Sequence, residues 1–266
     1  LKTTYVLPAG NLYIVNYKIY TDGIVKVDVE FTSTNMEAGK VEASEATQMA
    51  TFTPEMKKAR EKTAKLEVPR IDLRFRVPQT YNQIEYYGNG PIENYLDRQS
   101  GARIGLYSTT AEDLYFPYVR PQENGHRTFN RWFSVTNKNN QGLLIVADDT
   151  VGFNALRNSV EEFDSEENKN RPYQFNNFST EDRLANSNEK AKNNRPRQTH
   201  INDITPKDFV EVNVDMKQMG VAGYNSWGAQ PLPEYSIPSD KNYKWGFTLV
   251  PVKNTKEISE KSNLKY

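Results

Sequence analysis

Apolar and polar residues alternate with period two through much of the chain, the signature of β-strands with one buried face. Tyr13, Val15, Tyr17 and Ile19 alternate with more polar neighbours. Thr21-Asp22-Gly23 supplies a turn, and Val25, Val27, Val29 and Phe31 follow on one face, with Lys26, Asp28 and Glu30 on the other. Two such runs joined by a glycine turn predict a hairpin. The same alternation predicts a strand at Ile71, Leu73, Phe75 and Val77, with Asp72, Arg74 and Arg76 facing outward. Further strands are expected around 84–87, 131–135, 143–147, 210–214 and 243–250, the last turning Tyr243, Trp245, Phe247 and Leu249 inward.

Between these runs the pattern breaks. Residues 35–51 are polar and small, as in a loop or insertion, and Thr53-Pro54 reads as the cap and first residue of a basic helix reaching about Lys65. A helical insertion is thus expected over about 36–66. From 160 to 199 the chain is charged and rich in asparagine; Ser179 and Asp182 have capping-box spacing, and 186–197 reads as a mobile loop. The stretch 254–266 reads as a polar, frayed tail, which leaves 1–253 as one domain. There is no internal repeat. Many short strands, long decorated loops and one or two short helices predict an all-β fold, a large antiparallel sandwich.

Composition narrows the partners. A chain of 266 residues can bury a substantial core. Lysine plus arginine and aspartate plus glutamate each number 34, so nothing favours nucleic acid or an acidic membrane surface. No run of about twenty apolar residues occurs, which excludes a membrane-spanning helix. Without cysteine there is neither a disulfide nor a thiolate zinc site, and the compartment, cytoplasm or periplasm, stays open. The chain starts at Leu1 with no secretory signal and reads as trimmed at its start.

Three segments concentrate chemistry. The first is Gly88-Asn89-Gly90-Pro91-Ile92-Glu93-Asn94-Tyr95-Leu96-Asp97-Arg98, and the second runs from Tyr115 to Gly125. Glu93, Asp97 and Glu123 have the residue type for the paired carboxylates of a glycosidase. The alternative is that glycine, proline and asparagine shape tight turns while these side chains hold loop backbone. His126 and His200 stand far apart and outside any metal-ligand spacing; histidines on loops are expected to be solvated. The third segment, Gly220-Val221-Ala222-Gly223-Tyr224-Asn225-Ser226-Trp227-Gly228, sets a tryptophan in a glycine-rich turn. An exposed indole matches the C–H face of a pyranose, and burying about 50 Å² of sugar face is worth roughly 1 kcal/mol. The competing reading packs Trp227 into the core.

Taken together, these segments resemble the C-terminal "small chain" domain of glycoside hydrolase family 2 β-galactosidases. The matching pieces are Gly88-x-Gly90-Pro91-x-Glu93-Asn94-Tyr95-x-Asp97-Arg98, Tyr118-Val119-x-Pro121-Gln122-Glu123-Asn124-Gly125 and Met219-Gly220-Val221-x-Gly223-x-x-Ser226-Trp227-Gly228, and the likeness runs from about Tyr5 to Val252. The resemblance implies a supersandwich of galactose-mutarotase type, here N-terminally truncated. It implies a parent enzyme that hydrolyses terminal β-D-galactosides with retention, its catalytic glutamates on an upstream TIM barrel of the same polypeptide. The parent family's magnesium and sodium or potassium would bind outside this domain, which would itself be inactive and carry no cofactor. Trp227 takes the place of the family tryptophan that stacks on the sugar. The sequence departs from the family in its long 36–66 and 160–199 regions and in Gly223-Tyr224-Asn225, where the family often has Gly-Asp-Asp or Gly-Asp-Asn. Two other readings are a free-standing carbohydrate-binding module and a mutarotase-type enzyme, which would need a histidine and a carboxylate converging in a sandwich cleft.

Overall fold

In a computed structural model the chain forms an all-β antiparallel sandwich, described here for residues 1–7, 10–33, 68–119, 122–163, 201–223 and 230–264. The described strands are β1 (Lys2–Val6), β2 (Leu12–Ile19), β3 (Val25–Thr32), β4 (Arg70–Pro78) and β5 (Gln83–Gly90), followed by β6 (Arg103–Thr110), β7 (Arg127–Thr136), β8 (Gly142–Leu156), β9 (Phe209–Gln218) and β10 (Tyr243–Val252). The hairpin expected from the first alternation is β2–β3, closed at Gly23, whose φ of 85° suits a residue without a Cβ. The expected insertion at 36–66 and the loop at 186–197 lie outside the described residues, as does His200.

The sheet runs β1-β2-β3-β10-β8-β7-β5-β6, and a second layer branches from β8 through β9 to β4. β8 makes the branch because it is far longer than the apolar run 143–147 suggests. Its first half pairs with β10, from Val252↔Gly142 to Phe247↔Ala147, and its second half with β9, from Gly152↔Asp215 to Leu156↔Glu211. β7 follows it past two register shifts, the usual means of bending a strand between layers.

The main core lies between the layers. Val210, Val212 and Val214 of β9, beside Leu73, Phe75 and Val77 of β4, meet Val15, Val27, Val29, Phe133, Phe153 and Phe247. Phe133 and Phe153 stack at 4.3 Å between ring centroids. β10 is buried on both faces around Phe247 and Thr248. Thr248 and Val250, which alternation assigned to the outside, are buried, and so is Val252. Val250 and Val252 join Trp132, Leu144 and Val146 beneath Ile258. Ile258 belongs to a helix, Thr255–Lys261, capped by Asn254 through the Glu257 amide, so a docked helix stands where a frayed polar stretch was expected. Among the described residues no helix is long and apolar enough to cross a membrane.

Candidate functional site

The first motif supplies the hub of a polar network. After β5 the chain closes a tight turn in which the Tyr95 amide donates to the Arg98 carbonyl and the Arg98 amide returns to Tyr95, leaving Leu96 and Asp97 at the tip. Asn94 is buried and ties this turn inward. Its side-chain amide donates to the carbonyls of Asn89 and Ile92, and its carboxamide oxygen accepts from the Thr128 amide at 2.9 Å.

Glu93 is buried at the junction with the second motif. Its carboxylate accepts from Arg98 at 2.7 Å, from the Gly125 amide at 2.9 Å and from the Tyr118 hydroxyl. Asn124 shapes that second loop, accepting from the Phe116 amide and donating to the carbonyls of Phe116 and Gln122. Glu123 pairs with Arg70 of β4.

Arg70 is the centre of a second polar cluster. Its Nε and Nη2 make a two-pronged contact with Asp215 of β9 at 2.6 and 2.7 Å, and Nη2 also donates to Asn154. Asp215 is fully buried and accepts a further bond from His126 Nε2 at 3.0 Å. Burial pushes the Asp215 carboxyl up, but the Arg70 charge and the hydrogen bonds from His126 and Arg70 outweigh it and hold the group at about 2. Asp72 stands on the polar face of β4 with Arg74 and Arg76, but that face is partly covered here: it lies beside Arg70 and opposite Asp215, and burial, then the Asp215 charge, raise it to about 6.

His126 is likewise no solvated loop residue. It is 2% exposed, stacked on Tyr95 at 5.5 Å, with Nδ1 against the Asn94 carbonyl. Its two ring nitrogens thus lie against the Asn94 carbonyl and the Asp215 carboxylate. The mutarotase-type arrangement requires a histidine and a carboxylate open to a sugar, and the His126–Asp215 pair is sealed from one. No signal in the local sequence singles out Asp215, because Val210, Val212 and Val214 make it look like a solvent-side residue of an alternating strand. In the ladder Arg74 stands opposite Asn213 and Arg76 opposite Glu211, a pairing that appears only once the strands are in register. Glu211, 2% exposed, pairs with both Arg74 and Arg76.

The third motif meets the first through Asp97. The Val221 amide donates to Oδ1 at 3.0 Å and the Ala222 amide to Oδ2 at 2.7 Å. Gly220 packs against the same carboxylate, and its amide donates to the Tyr235 carbonyl. Ala222 and Gly223 both take left-handed conformations, with φ of 52° and 87°. Trp227, the one site residue expected to touch substrate, lies outside the described residues. The structure therefore joins all three motifs: Glu93 links the first to the second and Asp97 links the first to the third. Among the described residues there is no cluster of three or more histidine, cysteine, aspartate or glutamate side chains fit to hold a metal ion. The carboxylates of Asp72, Glu123 and Asp215 converge on the Arg70 guanidinium instead.

Comparison with known proteins agrees with this architecture. The family model for the β-galactosidase small chain matches residues 1–249. A β-galactosidase of Priestia megaterium is 32% identical over 186 residues, 70% of this chain and 15% of that protein. A β-galactosidase of Halalkalibacterium halodurans is 32% identical over 183 residues, 69% of this chain and 15% of its own length. One from Streptococcus thermophilus is 29% identical over 185 residues, again 69% of this chain and 15% of the relative. The chain thus spans about 15% of the length of these curated relatives.

Proposed function

Because the chain belongs to the β-galactosidase small-chain family, we propose that it is the sugar-cleft domain of a larger retaining β-galactosidase acting on terminal β-D-galactosides. In this reading the acid/base and nucleophile glutamates lie on an upstream TIM barrel of the same polypeptide. The domain lends Trp227 to the substrate subsite and stiffens the cleft.

The observation that carries the reading is the occupation of the motif carboxylates. Glu93 is engaged by Arg98, Tyr118 and the Gly125 amide, Glu123 by Arg70, and Asp97 by two backbone amides. Retaining hydrolysis uses two carboxyl groups about 5 Å apart that flank an open cleft. Groups committed to internal donors suit a scaffold. The same loops leave Ile92, Phe116, Val119 and Val221 exposed, which suits a surface that meets another domain.

The test is Trp227→Ala in the intact protein, assayed on an aryl β-D-galactoside. A stacking role predicts a loss of about 1–3 kcal/mol in kcat/KM, up to about a hundredfold, with little change in melting midpoint. Unchanged kcat/KM together with a lowered midpoint would overturn the role assigned to Trp227.

A further inference from the structure

We infer that β6 is the contact strand of a symmetric pair: its free edge binds the same strand of a second copy of this protein, antiparallel, about a two-fold axis at Tyr107. The inference stands apart from the role given to Trp227.

Among the described residues three strands stand at an edge, β1, β4 and β6. A free edge presents a row of unpaired N–H and C=O groups, and proteins blunt it with charges, proline, bulges or short length. β4 carries Asp72, Arg74 and Arg76 and ends at Pro78, and β1 is only five residues long. β6 has no such guard past Arg103. Its eight residues pair with β5 from Gln83↔Thr110 to Gly90↔Arg103 without a register shift, and from Ile104 to Thr110 it holds neither charge nor proline. Its outer face adds apolar surface, since Ile104 is 68% and Leu106 61% exposed. On the other face the Tyr107 ring lies back over Gly105, and its hydroxyl donates to the Arg103 carbonyl at 2.9 Å, which braces the strand.

The charges at its two ends point to a second copy as the partner. Arg103 at the start is exposed, and its guanidinium donates to the carbonyls of Ser100 and Ala102. Glu112 and Asp113, both exposed, follow just past the end, in the short helix Ala111–Leu114. An antiparallel copy centred on Tyr107 sets Arg103 of each strand opposite Ala111 of the other, next to those acids, at both ends of the pair. A parallel copy would set like charge against like. The same register uses the whole uncharged edge. Ile104 meets Thr110 and Leu106 meets Ser108 on the outer face, and the two Leu106 side chains become diagonal neighbours about 7–8 Å apart. The strand is thus complementary to itself, as a two-fold interface requires.

The test is sedimentation velocity on the intact protein across micromolar concentrations, with melting midpoints measured alongside. Leu106→Lys charges an exposed position, so the fold should hold while the particle mass falls about twofold from that of wild type. Ser108→Lys, on the same exposed row, carries the test if the first variant does not accumulate. Arg103→Glu should also halve the mass, and adding Asp113→Arg should restore it, because the swap exchanges the signs at both ends. A wild type that sediments as a single copy would overturn the pairing, and so would a lysine variant of unchanged mass. Unchanged mass with a lowered midpoint would assign the edge to another part of the same polypeptide instead. A charge swap that stays at half mass would overturn the antiparallel arrangement.

Discussion

Asp72 of β4 and Asp215 of β9 face each other directly across the antiparallel ladder, with the Arg70 guanidinium between them. Like charges placed opposite one another on neighbouring strands are unfavourable, and the two groups resolve the conflict by separating in acidity. Asp215 takes both guanidinium prongs and His126, and is held down at about 2; Asp72, left with the weaker 3.7 Å contact, rises to about 6.

The pH dependence follows from these directions. Asp72 has a folded-state value above its ordinary 3.8, so the unfolded chain loses that proton first, and the group costs stability as pH rises from about 4 to about 6. Asp72→Asn should therefore stabilise the protein above about pH 6, by up to about 3 kcal/mol, and leave it unchanged near pH 4. Asp215 works in the opposite sense. Its lowered value contributes stability above 3.8 that is lost as pH falls toward 2. Urea midpoints of the wild type and Asp72→Asn at pH 4 and pH 7 check the first statement. An equal shift at both would contradict it.

Arg70 is the group whose loss should be felt most. It is the common partner of Asp215, Glu123 and Asp72, with only 11% of its side chain exposed. Arg70→Met would leave a fully buried carboxylate without its main counter-charge, and should cost about 3–5 kcal/mol. Arg70→Lys should recover only part of that, because a single ammonium cannot serve Nε and Nη2 contacts together. Denaturant titration of the two variants gives the comparison, and a lysine variant as stable as wild type would argue against the two-pronged geometry.

How much of this was readable beforehand varies with the kind of signal. The β2–β3 hairpin and the cores of β4, β5, β7, β9 and β10 were legible because one buried face writes a period of two. β6 was missed because Ile104 and Leu106 are exposed on an edge strand while its inward side carries Gly105 and Tyr107, so its alternation is inverted. β1 was missed for a related reason: it is exposed over most of its length and held by backbone pairing to β2. The helix at Thr255–Lys261 offers a single buried apolar residue, Ile258, too little for a helical period to stand out. The motif residues were legible as a group, while their pairing partners Arg70 and Asp215 were not. Those partners are recruited across sequence separations that local pattern cannot see.

The helix after Lys253 gives a third prediction. Ile258 is 2% exposed and closes the second core cluster over Val250 and Val252. Ile258→Ala should cost about 2–4 kcal/mol, whereas replacement of a solvent-facing neighbour such as Lys256 should be nearly neutral. Thermal midpoints of the two variants suffice. A neutral Ile258→Ala would mean that the helix is not docked.

Glu93 allows the scaffold and catalytic readings of the motif carboxylates to be separated in a single variant. Its carboxylate joins Arg98, the Tyr118 hydroxyl and the Gly125 amide, and it is 9% exposed. Glu93→Gln preserves the shape but replaces one acceptor oxygen with a donor, which must then face the Gly125 amide or the Arg98 and Tyr118 donors. A buried group so mismatched should lower stability by about 1–3 kcal/mol. In the intact protein, kcat per folded active site should stay within about twofold of wild type, since a scaffold residue makes no bond that strengthens in the transition state. A general acid or nucleophile would behave in the opposite way: the fold would hardly notice the isosteric change, while turnover would fall by a factor of a hundred or more. Measuring both the melting midpoint and kcat on the same preparation decides the point. Stability loss with turnover retained is the expected result, and turnover lost with stability retained would return Glu93 to the list of reacting groups.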